Sequence, residues 1–283
     1  MHIRSRSALL LTLPFAIAVL AGDPASTSPN DSPFSVLPIW GEQAREKGYD
    51  LPLPVGVGVS FMNIWQDYDI KDVQFTPLVP LPFPIGGVEV SRAEGDGYSL
   101  DGRVDVWLFP FLNVYGVLGY TKGDSGATAT IPGLGNLQFP FVLDYEGVTF
   151  GGGATVAYAY KQLFASVDYN YTLTDLDIAD SKITAHVVTP RVGWHGDLGG
   201  LKGAAWIGTM YQGIAQEFRG QLSVSVPGLP GPIPVRYAVD QEATDPWNLI
   251  FGIEWQISPH WDFVVEGGVL GREQVLTSLT FRF

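Results

Sequence analysis

The last ten residues, Gln274-Val275-Leu276-Thr277-Ser278-Leu279-Thr280-Phe281-Arg282-Phe283, place Val275, Thr277, Leu279, Phe281 and Phe283 on one row and Gln274, Leu276, Ser278, Thr280 and Arg282 on the other. A period of two is that of a β-strand, whose successive side chains point to opposite faces. One row here is greasy and ends in two aromatics, and the other is mostly polar. The same alternation runs backwards through the chain. Phe263, Val265, Gly267 and Val269 alternate with Asp262, Val264, Glu266 and Gly268, and Trp247, Leu249, Phe251, Ile253, Trp255 and Ile257 alternate with Asn248, Ile250, Gly252, Glu254 and Gln256.

Past the N-terminus no stretch of eighteen or more apolar residues occurs, so helical membrane spans are not expected. The nearest candidate, 104–120, is interrupted by Pro110, Asn113, Gly116 and Gly119, and begins with Val104, Val106 and Leu108 alternating with Arg103, Asp105 and Trp107. Two strands and a turn fit it better. In hydrocarbon an unpaired backbone amide costs several kcal/mol, so strands cross only as a sheet closed on itself. The sequence therefore predicts an all-β fold, a closed antiparallel transmembrane β-barrel over 54–283 with a short helix before it. The expected strands are 55–75, 98–109, 113–130, 141–160, 163–175, 183–195, 202–226, 235–257, 261–270 and 274–283. Short turns alternating with long connections, with both chain ends on the side of the short turns, require an even number of strands; ten satisfies this, as eight or twelve would.

The aromatic C-terminal strand resembles the closing strand of Gram-negative outer-membrane β-barrel proteins, with Thr277 a weaker member of its outward row. The resemblance covers barrel architecture and no particular member. It implies that Phe281 and Phe283 form an insertion signal read by the barrel insertion machinery, and that the chain sits among outer-membrane lipid and lipopolysaccharide with both termini periplasmic. Tyr158, Tyr160, Trp194, Trp255, Trp261 and Phe283 near the short turns, and Tyr120, Tyr169, Tyr171 and Trp247 about ten residues away, read as two interfacial girdles.

The N-terminus agrees. Arg4 and Arg6 precede an apolar run from Ala8 to Leu20 and a small-residue site at Val19-Leu20-Ala21, a secretory signal peptide over 1–21. Residues 22–53 are read as a leader carrying a short helix near Pro38 to Gly48, either a plug inside the barrel or a periplasmic cap. The chain has no cysteine, which removes disulfides, thiol nucleophiles and thiolate metal sites together. Losing Arg4 and Arg6 takes the formal charge from −13 to about −15, a poor match for nucleic acid.

On these faces the lumen receives Asp101, Arg103, Asp105, Asp168, Arg191, Glu254, Glu266 and Arg282. They form either an ion-pair network that fills a narrow barrel or a mildly cation-preferring solute path. Two acidic runs, Asp67, Asp69, Asp72 and Asp175, Asp177, Asp180, offer oxygens of the kind calcium takes, without the glycine turn and distal glutamate of an EF-hand. Three connections, 78–85, 131–141 and 226–235, are apolar and proline-bearing where external loops are usually polar. They form either a sticky surface for a hydrophobic ligand or arms that pack on one another. No cofactor motif is found. No enzyme is expected, because no His-x-Ser pair of the lipid-hydrolase kind appears and the acidic pair Asp175 and Asp177 has no accompanying histidine. The leading expectation is a barrel that binds or passes a small solute through a narrow polar lumen. The alternative is a non-transporting surface, adhesion or envelope-structural barrel.

Overall fold

The computed structural model describes residues 36–79, 87–132, 136–178, 180–225 and 231–283. The expected signal peptide, residues 22–35 of the leader, and residues 80–85, 133–135 and 226–230 of the connections 78–85, 131–141 and 226–235 lie outside the described residues.

The helix is there and short: α1 (Gly41–Glu46). It rests against the rim of the barrel. Ile39 donates its N–H to the carbonyl of Leu108 at 2.8 Å, and the Trp40 ring lies 5.0 Å from that of Phe109 and 6.4 Å from that of Phe111.

The strands are β1 (Val55–Pro77), β2 (Glu89–Val90), β3 (Ala93–Phe109), β4 (Leu112–Ile131), β5 (Leu137–Tyr160), β6 (Leu163–Leu176), β7 (Lys182–Asp197), β8 (Lys202–Val224), β9 (Ile233–Ala243), β10 (Trp247–Ser258), β11 (Trp261–Val269) and β12 (Glu273–Arg282). Ten of them, all but β2 and β9, pair antiparallel with neighbours around a ring. The ring closes where β12 meets β1, from Gly56 opposite Arg282 to Trp65 opposite Glu273. No sheet edge is left within the ring, which is what a hydrocarbon surround requires. Four tight turns, after β3, β5, β7 and β10, define one end, the turn end; α1 lies there.

The sequence reads 235–257 as one strand, and the structure divides it. β9 ends at Ala243 and β10 begins at Trp247. Pro246 has no N–H to give a ladder. The break lets β9 leave the ring, pairing with the far ends of β1 and β8, while β8 resumes pairing with β10 below it.

β1, β5 and β8 have 23, 24 and 23 residues, whereas about ten cross a membrane. The surplus projects from the end opposite the turns, the arm end. There the polarity of the two faces inverts along single strands. On β5 the inward row reads Phe139, Phe141, Leu143, Tyr145 in the arm and then Thr149, Gly151, Gly153, Thr155 in the barrel. The outward row reads Gln138, Pro140, Val142, Asp144, Glu146 in the arm, polar but for Pro140 and Val142, and then Val148, Phe150, Gly152, Ala154, Val156 in the barrel. A strand with greasy residues inside stands in water, and one with greasy residues outside stands in lipid. The inversion between Tyr145 and Val148 marks the boundary.

The membrane belt includes Val57, Val59, Phe61, Leu100, Val104, Leu118, Val148, Phe150, Ile207 and Phe251, all exposed. Tyr158, Tyr160, Trp261 and Phe281 flank it at the turn end, and Tyr98, Tyr120, Tyr169, Tyr171 and Trp247 at the arm end. About ten residues separate the two girdles, which for tilted strands spans roughly 25 Å.

Candidate functional site

The barrel interior is a stack of polar networks. Nearest the turn end, Arg282 donates through Nη1 to Asp105 at 3.1 Å and through Nε to Asp262 at 2.7 Å. Asn113 donates to Asp105 at 2.6 Å and accepts from Arg103 at 3.0 Å. The Arg103 guanidinium stacks 3.6 Å from the centre of the Tyr115 ring, and the Tyr115 hydroxyl donates to Asp168, which also accepts from Thr155 at 2.6 Å. One connected network thus runs from β12 to β6. Further up, Arg191 holds Glu266 with two bonds of 2.9 and 3.2 Å, and the Trp206 indole N–H donates to the same carboxylate at 2.8 Å.

Of the eight lumen residues expected from sequence, Arg103, Asp105, Asp168 and Arg282 meet in the first network and Arg191 and Glu266 in the second. Asp101 accepts from Ser99 at 2.7 Å, and Glu254 lies in the field of Asp262 and Arg282. Asp262, Asn113, Tyr115 and Trp206 were missed. Asp262 stands on the same polar row as Glu266 in the sequence and was legible there. Tyr115 and Trp206 were not, because large aromatics in a membrane strand are read outward.

Two glycines make these contacts possible. Gly56 sits between Arg282 and Asp105 in register, and a Cβ there would strike the Asp105 carboxylate. Gly252 sits between Trp206 and Glu266, and the indole lies over its bare backbone.

At the arm end of the column Tyr68 accepts from Gln66 and Gln216, Gln216 accepts from Gln241, and Gln241 donates to Ser125. Beside them Arg272 is buried. Its Nε donates to Gln274 at 3.0 Å, while both η nitrogens have no hydrogen-bond partner among the described residues.

Above this layer lies an apolar core formed by the arms themselves: Ala129, Phe141, Leu143, Tyr145, Phe218, Tyr237 and Val239, with Leu176 and Ile183 of the β6–β7 hairpin. The expected alternatives for the apolar connections divide here. Ile131, Phe141, Ile233 and Val235 are buried, whereas Leu78 and Val79 are exposed.

The acidic runs do not converge. Asp67 and Asp69 pair with Arg92 at 3.9 and 3.4 Å, Asp69 accepts from Thr244, and Asp72 accepts from Gln74. Asp175, Asp177 and Asp180 lie at the β6–β7 turn, where the Asp177 N–H donates to the Glu146 carbonyl. Among the described residues no three carboxylates or imidazoles are grouped so as to hold a metal ion. Phe281 and Phe283 lie on the membrane-facing rim, their rings 6.1 Å apart, with Trp261 5.0 Å from Phe281.

The arms also leave a slot. The ladder of β5 with β6 stops at Gly147, and that of β8 with β7 stops at Glu217. Beyond those points, among the described residues, the two strands face each other unpaired across a groove of ≈ 500 Å³, lined by 139–144 of β5, 221–224 of β8 with Ser225 just past it, and Tyr237 of β9. The Glu146 carbonyl is the last on that side of β5 to find a partner, so the alternate residues Gln138, Pro140, Val142 and Asp144 turn their backbone groups into the slot. On β8 the Arg219 N–H is capped by the Ser181 hydroxyl at 2.8 Å, and Gln221 and Ser223 follow with the same orientation.

These features define a transmembrane β-barrel with a packed interior and a water-standing β-structure on one end. No protein-family model matches the sequence, and no curated protein matches it. Solved structures similar in overall fold include the β domain of the Bordetella autotransporter BrkA, at 12% identity over 81% of this chain and 100% of that one, with a TM-score of 0.40. The outer membrane protein OprG from Pseudomonas aeruginosa is similar at 12% identity over 82% and 98%, with a TM-score of 0.39. The CymD monoaromatic hydrocarbon channel is similar at 11% identity over 82% and 89%, with a TM-score of 0.33.

Proposed function

We propose that this chain is an outer-membrane surface-recognition protein, in which a barrel closed to solutes anchors a β-structure that does the binding outside the cell. The observation that carries the reading is the state of the lumen charges. The Glu266 and Asp105 side chains are 2% and 1% exposed, each fixed by an arginine and a second donor. In a water-filled pore inward charges stay hydrated; buried charges persist when paired and hydrogen-bonded. The apolar arm core lies over the column as a second barrier. In this reading the turn end is periplasmic and both termini lie on that side of the membrane, residues 1–21 direct export, Phe281 and Phe283 serve insertion, and lipopolysaccharide surrounds the arm end. The protein binds and does not catalyse: His186, beside Tyr169 and Tyr171, is an interfacial side chain.

Planar-bilayer recording of the purified protein tests the reading. The expected result is a silent membrane. Stable unitary conductance of the unmodified protein would overturn it. The second reading, passage of a small solute, would then stand; the two unpartnered η nitrogens of Arg272, at the mouth of the column, favour it.

A further inference from the structure

The slot between β5 and β8 has three properties that together specify an occupant. Its sides are strand edges. Val142 and Asp144 offer both backbone N–H and C=O on the β5 side, Pro140 offers C=O alone, and Gln221 and Ser223 do the same as Val142 across the gap. Free edges of this kind recruit strands unless they are blunted by charges, bulges or prolines. The blunting here amounts to one proline, which removes one donor, and the Asp144 charge at the membrane-proximal end.

The floor of the slot is the apolar core, reached through Phe139, Phe141, Leu222 and Tyr237. An apolar small molecule would cover that floor and leave the edge amides as they are. A peptide main chain covers the floor with every second side chain and pairs the edges as well.

The membrane-proximal end is acidic. Asp96, Asp124 and Asp144 stand directly opposite one another across β3, β4 and β5, so their carboxylates share one face. Among the described residues no lysine or arginine pairs with any of the three. Lys122, one rung nearer the membrane, is taken by Glu146 at 2.8 Å. Burial, with the charges of Asp96 and Asp144, pushes the Asp124 carboxyl above the usual carboxylate range. Like charges held directly opposite are destabilising, and a cation delivered to Asp144 relieves them.

We propose that the slot binds an extended segment of a partner polypeptide by strand addition, antiparallel to β5, with alternate apolar side chains on Phe139, Phe141 and Leu222 and a basic residue at its N-terminal end beside Asp144. Antiparallel pairing on β5, which descends towards the membrane, makes the added strand ascend from Asp144, where its basic end meets the acidic face, and run parallel to the ascending β8, the slightly less stable kind of ladder. The inference rests on the surface-recognition reading for its partner but not on the lumen being closed.

The test uses the full-length protein in detergent micelles and a fluorescein-labelled probe peptide, Lys-Val-Thr-Val-Thr-Val, followed by anisotropy. Saturable binding is expected. Methylating alternate backbone nitrogens on the pairing edge of the probe weakens it about tenfold or more, since each methyl deletes a main-chain hydrogen bond. Val142→Pro in the protein has the same effect, because the N–H it removes serves no ladder in the fold. Asp144→Asn weakens binding several-fold and flattens its salt dependence. No saturable binding to the folded protein overturns the proposal. So does binding that survives both N-methylation and Val142→Pro, which would assign the slot to apolar side chains or a small apolar ligand. The recording experiment reads a different part of the molecule, so an open channel with peptide bound, or a silent barrel without it, separates the two failures.

Discussion

Arg282 reaches across the bare backbone of Gly56 to hold Asp105 at 3.1 Å, joining the last strand of the barrel to the third through the first. The seam that closes the barrel is therefore fastened from inside as well as by its ladder. Three residues from three strands make the joint, and the middle one contributes by having no side chain.

Gly56→Val is expected to break it. The new side chain occupies the space of the Asp105 carboxylate and parts two buried charges, leaving Asp105 with Asn113 and Arg282 with Asp262 alone. Loss of one partner of a buried pair costs about 3–5 kcal/mol, so urea unfolding in detergent, followed by tryptophan fluorescence, should show a loss of that order. Gly102→Ala, whose Cβ meets nothing nearer than the Leu118 carbonyl at 3.4 Å, is the matched control and should change little. Equal effects of the two would show that the joint is not what Gly56 is for.

The Arg191–Glu266 pair gives a sharper contrast. Glu266→Gln leaves Arg191 buried against a neutral group and should cost about 3 kcal/mol, whereas Arg191→Met together with Glu266→Met should recover part of that loss, short of the parent by the Trp206 N–H left without its acceptor. That non-additivity is the signature of a structural pair. A double variant that unfolds as readily as the single one, measured in the same urea series, would show the charges contributing more than each other's neutralisation.

Asp124 gives the arms a pH dependence. Its carboxyl holds the proton more tightly in the folded arm than in the unfolded chain, through burial and the neighbouring Asp96 and Asp144. The resulting penalty is fully present above the raised folded pKa and fades as the pH falls towards the ordinary 3.8. Asp124→Asn should therefore slow amide hydrogen exchange in β4 and β5 at neutral pH, by a few tenths of a kcal/mol after solvent screening, with the advantage vanishing in acid. Exchange that is faster in the variant at neutral pH would refute the assignment.

Much of the barrel could be read from the chain because lipid imposes a simple rule on each strand separately. Val57, Val59 and Phe61, or Phe281 and Phe283, declare their outward face without reference to any neighbour. The lumen list was legible for the same reason: Asp105, Glu266 and Arg282 occupy the other row. The path of 235–257 was not, since Val235 to Val239 and Leu249 to Ile253 alternate alike. Whether such a run continues or turns aside depends on which edges β1 and β8 offer it. For the apolar connections the sequence left a sticky surface and packed arms both open, because burial of Ile131, Phe141, Ile233 and Val235 depends on neighbours from other strands.

Alternation, the absence of long apolar helices and the aromatic close thus determined by themselves that the chain makes strands, which faces meet lipid, and that the sheet must shut. These follow from the period of a strand and the cost of a bare amide in hydrocarbon, both local quantities. Which lumen charges meet, that Gly56 and Gly252 serve as passages, and that β5 and β8 part to leave a slot were decided by tertiary structure. Register and strand length relative to neighbours are relations between distant segments, and a single row of side chains does not contain them.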